Sequence, residues 1–332
     1  MDEIITLDYG SGGKKTSRLI EKMIVPALEN PALAALGDGA VVEGFGKLAF
    51  STDSFVVDPI FFPGGDIGKL SVCGTVNDLA MCGAEPKYLS CSFIIEEGLP
   101  LSNLEKIVDS IRRQCAACNV QVVTGDTKVV EKGRGDKIYI NTAGIGFVKY
   151  PGLGPENIRE GDVVIVSGTV GDHGTAVMLA RSGMVQTGLE SDCAALYTLC
   201  GKILSTGAAV RVLRDPTRGG LATTLNEFVE NRELSIRIEE GLVPVKPQVQ
   251  AACDMLGLDP MYCANEGKLI CIVAREDAQK VLQAMRECEE GRDAAIIGSV
   301  SAEFPGKLVL QTAFGGRRVL QKLTGAQLPR IC

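Results

Sequence analysis

The sequence has no tryptophan and one histidine, His173, in 332 residues. A single histidine excludes a Ser-His-Asp triad elsewhere in the chain, and we expect His173 to be a polar residue at a helix start. No run of about 18 uncharged apolar residues occurs, which excludes a membrane-spanning helix. The start, Met1-Asp2-Glu3, is acidic where a signal peptide is basic. We therefore expect a cytosolic protein with no membrane partner.

An excess of basic residues is also missing. The chain has 34 Lys and Arg against 41 Asp and Glu, for a net charge of −7. Such a balance argues against nucleic acid as a partner, although local donors can still bind small anions. The twelve cysteines are expected to be reduced and mostly buried in a cytosolic protein. Cys115 and Cys118 have C-x-x-C spacing without a second pair, which favours packing over a metal site.

Length and glycine distribution indicate the domain organisation. A chain of this size is expected to form two domains, and a Pro/Gly cluster at 150–155 is the best boundary signal. We predict an α+β protein. Its parts are a glycine-rich segment with a helix at 1–35, a first domain at 36–150, a second α/β domain at 151–305, and C-terminal strands with a mobile tail at 306–332.

Local signals predict individual elements. Asp66 is typical of a helix cap, and Gly83 ends the same helix. Ser102 and Glu105 form an S-x-x-E pattern that predicts a capping box, and a later helix is expected over 192–212. Strands are predicted at 48–52, 88–96, 120–123 and 138–142, then at 163–166, 235–238, 269–273 and 295–300.

Four aspartates lie at the ends of predicted elements in the first half: Asp38, Asp53, Asp78 and Asp126. Carboxylate and phosphate oxygens are the ligands that Mg²⁺ prefers, so these residues suit a nucleotide–Mg²⁺ site. Taken alone, an aspartate is more typical of a turn or cap. Asn77-Asp78 differs because it lies in an apolar predicted helix, where an unpaired carboxylate is costly. We assign a ligand role to Asp78 first, then to Asp53 and Asp126.

Two glycine-rich segments can bind an anion. Gly12, Gly13 and Lys14 lie in a segment like a phosphate loop that lacks the Walker A spacing; its backbone N–H groups and lysine suit phosphate, and a mobile N-terminus fits equally well. Thr217 and Gly219 lie in Asp215-Pro216-Thr217-Arg218-Gly219-Gly220, before a predicted helix whose N-terminus can bind an anion. A helix cap without a ligand is the alternative.

Cys332 is separate from the other thiols. It is the last residue of the sequence, on a segment that has five Lys or Arg and no acid from Lys307 onward. A thiol on a mobile tether can visit separate sites, and the nearby basic residues favour its thiolate while the adjacent carboxylate opposes it. Glu266 and Lys128 are candidate proton-transfer groups, with solvated charges as the alternative.

Taken together, these segments resemble the aminoimidazole ribonucleotide synthetase (PurM-like) superfamily and, within it, the HypE family of hydrogenase maturation factors. The resemblance covers essentially the whole chain. One departure occurs at Gly39, where many superfamily members have a second acid after the position of Asp38. The matching segments are 37–40, 51–57, 76–86, 124–128, 215–221, 265–267 and 329–332.

The resemblance implies a two-domain PurM-like fold, with N-terminal strands that join a dimeric β-barrel in a homodimer and a C-terminal α/β sandwich. It implies an ATP-dependent carbamoyl dehydratase that acts on its own Cys332. The carbamoyltransferase HypF loads that thiol, ATP phosphorylates the carbamoyl oxygen, and loss of phosphate leaves a thiocyanate. A HypC–HypD complex then accepts the cyanide for the [NiFe]-hydrogenase iron.

The resemblance also implies residue roles. Glu266 and Lys128 remove protons near the thiocarbamate, and the four aspartates hold Mg²⁺. The ATP-binding set is Gly12, Gly13, Lys14, Asp53, Asn77, Asp78, Asp126, Thr217 and Gly219.

Two alternatives remain at this point. One is another enzyme of the superfamily, such as a selenophosphate synthetase, although the first cysteine here is Cys73 and not an N-terminal one. The other is a carrier in which Cys332 only transports a group.

Overall fold

The computed structural model describes residues 13–19, 21, 40–44, 46–184, 188–323 and 325. Predictions on Gly12, Asp38 and Cys332 lie outside these residues. The first half contains α1 Lys14–Leu19, β1 Ala40–Gly44, β2 Gly46–Phe55, β3 Phe61–Phe62, β4 Gly65–Asp66, α2 Ile67–Met81, β5 Ala84–Glu96, α3 Leu101–Cys118, β6 Gln121–Val130 and β7 Ile138–Val148.

Helix α2 confirms its predicted start and end. The Asp66 carboxylate accepts hydrogen bonds from Gly68 N at 2.7 Å and Lys69 N at 3.0 Å, satisfying two donors of the first turn. The chain leaves the helix through Gly83 at φ +70°, where a Cβ would lie 2.2 Å from the carbonyl oxygen of Tyr150. Only glycine fits there.

The predicted capping box of α3 is wrong. The helix begins at Leu101 with Pro100 at the cap position, and no side chain caps it. Ser102 therefore lies inside the first turn, two residues too late for its hydroxyl to act as the cap.

The first half forms a five-stranded sheet in the order β1-β2-β7-β5-β6, in which only β5 and β6 run parallel. Its inner face packs on α2 and α3. Thr142 of β7 shows this contact: its hydroxyl is buried and donates to the carbonyl of Ser71 on α2 at 2.9 Å. The outer face has a cross-strand row in which Phe50 and Tyr88 both flank Ile145. All three are more than a third exposed.

The second half is a seven-stranded sheet in the order β14-β13-β10-β12-β8-β11-β9, antiparallel except for β10 with β13. Its strands are β8 Val163–Val166, β9 Val210–Arg214, β10 Ser235–Glu239, β11 Ile270–Val273, β12 Ala295–Ser301, β13 Leu308–Gln311 and β14 Arg317–Leu320. Its helices are α4 Asp172–Arg181, α5 Tyr197–Ser205, α6 Gly220–Val229, α7 Pro247–Leu256 and α8 Ala278–Arg286.

The helix predicted over 192–212 is largely wrong. Only α5 is helical there, and its continuation is ended by Gly207 at φ +71°. The last three residues of the range, with Leu213 and Arg214, form strand β9, which pairs with β11. Residues 191–196 stay irregular, because several of their backbone groups bond to distant partners rather than to each other: Ser191 N to Pro63, Ala194 N to Glu266, and Ala194 O and Leu196 N to the Asn77 side chain.

The prediction that most cysteines are buried is confirmed for the residues the structure covers. Nine of the eleven described cysteines, including Cys115 and Cys118, are buried. In the same residues, no helix combines the length and apolar character needed to cross a membrane.

Candidate functional site

Two predicted acidic residues lie along the contact between β2 and α2. The Asp53 carboxylate is 3.7 Å from the place where a Cβ would stand at Gly74. Ser51, two residues earlier on the same face of β2, donates a 2.5 Å hydrogen bond to the Asp78 carboxylate. Gly74 and Asp78 are one helical turn apart on α2. The Asp53 and Asp78 carboxylates therefore both lie at the contact between β2 and α2, about one turn of the helix from each other.

The glycine motif of the second domain lies at the start of α6. Gly219 and Gly220 have φ of +76° and +60°, and a Cβ at Gly220 would lie 2.5 Å from the carbonyl oxygen of Cys263. Thr217 closes the turn by accepting from Gly220 N at 3.0 Å. The motif therefore requires glycine and leaves the N-terminus of a ten-residue helix beside this loop.

Carboxyl groups from both domains meet beside this loop. Burial raises the pKa of Asp53, and the charge of Arg218 partly opposes that rise. Burial likewise raises the pKa of Asp215 to about 6, with a further rise from Asp53. Glu266 is 8% exposed, and its pKa is well above the usual range, first through burial and then through Cys193, Asp215 and Asp53. Buried, perturbed acids that influence one another are typical of a functional site.

The Glu266 loop is tied to the glycine motif through Asn265. Its backbone N and its Nδ2 both donate to the carbonyl oxygen of Pro216 at 3.1 Å. Its Oδ1 accepts from Gly171 N at 2.7 Å. The candidate base and the candidate phosphate loop are therefore held in a fixed relation.

Asn77 links the two domains. Its Nδ2 donates to the carbonyl oxygens of Ala194 at 3.0 Å and Glu266 at 3.5 Å, and its Oδ1 accepts from Leu196 N at 2.7 Å. The side-chain amide is thus used by the backbone of the second domain, while the adjacent Asp78 lies on the β2 contact.

Within one chain, the structure does not bring Lys128 together with Asp53, Asp215 and Glu266. It pairs with Ile94 across β5 and β6, and both residues are exposed. Ile94 lies on the outer face with Tyr88, whereas Asp53 lies on the inner face. Asp126 pairs with Ser92 in the same ladder, and its side chain is outside the described part.

The described end of the N-terminal glycine segment meets the chain after β14. Lys14 N donates to the carbonyl oxygen of Leu323 at 2.7 Å, and its Nζ donates to Gln321 Oε1 at 3.4 Å. The hydroxyl of Tyr262 donates to the Gln321 carbonyl at 2.8 Å. Gly13 and Lys14 therefore lie next to the segment that leads to Cys332.

His173 lies in the first turn of α4, as predicted. It is completely buried, its Nδ1 shares a 2.8 Å hydrogen bond with Ser191 Oγ, and its ring packs edge-on against Phe62. Burial lowers its pKa to about 4. It is therefore neutral near pH 7 and joins the second domain to the first.

Two residues of this candidate site were missed by the sequence reasoning. Asp192 accepts hydrogen bonds from Glu266 N and Gly267 N, each at 3.2 Å. No local motif marks it. Arg218, whose charge acts on Asp53, was visible only as part of the glycine motif.

The described side chains contain no group of three or more His, Cys, Asp or Glu arranged to hold a metal ion. Magnesium bound with a nucleotide needs only one or two protein carboxylates, because phosphate oxygens and water fill the remaining positions. Asp53 fits that requirement, because its carboxylate lies beside Gly74 of α2, on the contact that also holds the Asp78 carboxylate.

The fold and these contacts agree with two family models. AIR synthase related protein, N-terminal domain, matches residues 36–148, and AIR synthase related protein, C-terminal domain, matches residues 159–311. The chain is thus an AIR synthase related protein with the two-domain PurM-like fold, and the expected fold class is confirmed.

Comparison with individual relatives and solved structures identifies the family within this group of proteins. A carbamoyl dehydratase HypE of Rhodobacter capsulatus is 45% identical over 337 residues, covering 100% of this chain and 99% of that protein. A solved HypE in complex with ATP is 47% identical, with a TM-score of 0.82 and coverage of 99% and 100%. A HypE–HypF complex is 45% identical, with a TM-score of 0.87 and coverage of 92% and 99%. The chain belongs to the HypE family of carbamoyl dehydratases.

Proposed function

We propose that this chain uses ATP to dehydrate an S-carbamoyl group on its own Cys332 to a thiocyanate, which supplies cyanide for a [NiFe]-hydrogenase iron centre. The observation that carries this proposal is the buried position of Glu266 at the contact of the two domains, where Asn77 of α2 binds its carbonyl oxygen and Asn265 ties its loop to the glycine motif before α6. The solved relative that binds ATP supports the nucleotide.

The chemistry needs a phosphoryl transfer and two proton removals. The carbamoyl oxygen attacks the γ-phosphorus, the bond to the β-bridging oxygen breaks, and ADP leaves. Loss of one N–H proton gives a phosphorylated imidate, and loss of the second expels inorganic phosphate and forms the C≡N bond. Glu266 is the proposed acceptor of these protons: burial raises its pKa, which makes its carboxylate a stronger base than an exposed one. Its burial excludes water, which would compete for the intermediate.

Asp53 and Asp78 would hold Mg²⁺, with Asp38 and Asp126 as further ligands. The ion would neutralise charge on the transferring phosphoryl group. The backbone donors of Gly12, Gly13 and Gly219, with Thr217 and Lys14, would bind phosphate oxygens. Asn77 would keep the two domains in register around the nucleotide.

HypF is the proposed source of the carbamoyl group, supported by the HypE–HypF complex of a relative, and a HypC–HypD complex is the proposed cyanide acceptor. A second copy of this chain is the proposed occupant of the outer sheet face. The apolar row of Phe50, Ile145 and Tyr88 favours a buried partner. In this homodimer, Lys128 would reach the thiocarbamate site of the other copy.

The reaction is tested by intact mass after incubation with HypF, carbamoyl phosphate and ATP. The expected result is a gain of one carbamoyl group followed by loss of one water, both in the peptide that ends with Cys332. Cys332→Ala is the control and should gain no mass and release no carbamoyl-dependent phosphate. Phosphate release at the wild-type rate from this variant would contradict the proposal.

The dimer is tested by sedimentation of Ile145→Asp. A charge in the apolar row should convert a dimer into a monomer, because an unpaired charge is costly to bury. Val108→Asp is the matched control, since Val108 is equally apolar and 47% exposed on α3, away from this face. It should keep the wild-type mass. An Ile145→Asp protein that sediments like wild type would rule out this interface.

A further inference from the structure

The irregular segment 191–196 touches the Glu266 loop through one buried carboxylate. The Asp192 side chain is 1% exposed. Its Oδ1 accepts from Glu266 N and its Oδ2 from Gly267 N, each at 3.2 Å, and Lys268 Nζ lies 3.5 Å from Oδ2. Three consecutive residues thus point their donors at a single carboxylate, and hydrogen bonds to a charged acceptor are among the stronger kind.

The two segments are also in backbone contact. A Cβ at Gly267 would lie 1.7 Å from the Asp192 carbonyl oxygen, so no other residue allows this approach. On the opposite side, Asn77 of α2 binds the carbonyl oxygens of Glu266 and Ala194. The peptide groups on both sides of Glu266 Cα are therefore fixed, which fixes the direction of its side chain.

We propose that Asp192 is the positioning residue of Glu266: it holds the 266–268 backbone so that the Glu266 carboxyl reaches the thiocarbamate. This inference rests on the proposed dehydration. It assigns a role in the reaction to a carboxylate that lies in no recognisable motif and does not itself touch the substrate.

A cavity behind Asp192 makes the proposal testable by chemical rescue. It has a volume of about 460 Å³ and is lined by Asp192, Gly267 and Lys268 from the second domain, with Tyr197 and Lys69 nearby. Removal of the Asp192 carboxylate would leave a space open to this cavity, next to the three donors. A small carboxylate such as formate fits both the space and the donors.

The experiment measures one turnover of carbamoylated protein after addition of ATP, with water loss followed by mass. Asp192→Ala should slow the turnover about 100-fold, because a catalytic group misplaced by about 1 Å costs that much. The Kd for ATP should stay within about twofold, since Asp192 lies behind Glu266. Formate should raise the rate of Asp192→Ala at least about tenfold, because its carboxylate would take the place of the missing hydrogen-bond acceptor.

The matched control is Asp162→Ala. Asp162 is an equally buried carboxylate of the same domain, bonded to Arg159 N at 2.8 Å and to Arg211 Nε at 3.1 Å, at the opposite end of β8 from the loop toward α4. This variant should turn over at nearly the wild-type rate and ignore formate. If Asp192→Ala does not fold, Asp192→Asn replaces it in the experiment. This variant keeps the shape of the side chain and should also be slow.

The outcomes separate the two levels. Wild-type protein that never loses water would overturn the proposed function. If wild type turns over and Asp192→Ala or Asp192→Asn keeps its rate, the positioning role is overturned. The positioning role is also overturned if formate leaves the rate of Asp192→Ala unchanged, or if it raises the rate of the Asp162→Ala control by the same factor.

Discussion

The two faces of the first sheet differ in how far a single chain completes them. On the inner face, Thr142 bonds to α2 and Asp53 faces Gly74. On the outer face, Phe50 and Ile145 are 44% and 37% exposed. Alternation along a strand places residues three positions apart on opposite faces, so Phe50 and Asp53 of β2 and Thr142 and Ile145 of β7 face opposite sides of the sheet. One chain therefore partly buries the acidic residues on the inner face and leaves the face with Lys128 exposed.

The largest expected effect belongs to the inner side. Glu266→Gln keeps the size of the side chain and removes its ability to accept a proton. Water loss should slow about 100- to 10,000-fold, the usual contribution of a positioned base, while carbamoylation of Cys332 continues. The measurement is the mass of the final peptide over time. A variant that still dehydrates at the wild-type rate would remove Glu266 from the mechanism.

The outer side is tested by combining two inactive variants. Lys128→Ala alone and Glu266→Gln alone should both be slow. If Lys128 acts in the other copy, a mixed dimer contains one site with both groups intact, and co-expression should recover about a quarter of wild-type activity. Each variant expressed separately is the control. No recovery in a dimer shown to be mixed would place both groups in one chain.

The inner contact with the second domain contains the only histidine. Since His173 has a pKa of about 4 when folded and about 6.5 when unfolded, the unfolded state binds more protons between those values. The contribution of neutral His173 to the free energy of unfolding is therefore present above pH 6.5 and is lost as the pH falls toward 4. Wild type should lose about 2 kcal/mol of unfolding free energy more than His173→Gln between pH 7 and pH 5. Denaturant titrations at both values measure this, and equal losses would contradict it.

The smallest effect compares the two faces directly. Thr142→Val removes a buried hydroxyl that bonds to Thr75 at 2.6 Å and to Ser71, and should cost about 1–3 kcal/mol. Thr52 is exposed on the neighbouring strand, and its hydroxyl donates to the Thr142 carbonyl oxygen at 3.1 Å. Water can replace this bond in Thr52→Val, so the cost should stay within about 0.5 kcal/mol. Thermal unfolding of both proteins provides the comparison. Equal costs would show that the faces do not differ in this way.

Local signals predicted the parts of the fold that depend on local physics. Asp66 caps α2 because its own carboxylate reaches the next two backbone donors, and Gly83 ends it because the turn requires positive φ. Both facts are readable from neighbouring residues. The family motifs also named Asp53, Asp78 and Glu266, which stay predictions in their catalytic roles.

The parts that sequence reasoning missed depend on distant partners. Residues 191–196 look helical locally, yet Leu196 N bonds to Asn77, more than a hundred residues away. Asp192 acquires its role only because Gly267 approaches it. Strand β9 is set by pairing with β11, and the face of Lys128 by its register with Ile94. None of these relations has a signature within a short window.

The absence of a side chain at Gly267 has a practical consequence for genetics. In Gly267→Ala, the added methyl carbon would lie 1.7 Å from the Asp192 carbonyl oxygen, so the loop must shift. The substitution removes no ionisable residue and no residue predicted to bind the nucleotide. Gly267→Ala would therefore serve as a loss-of-function allele in cells, whose hydrogenase defect reports on loop geometry alone and can be compared with alleles that remove a charge.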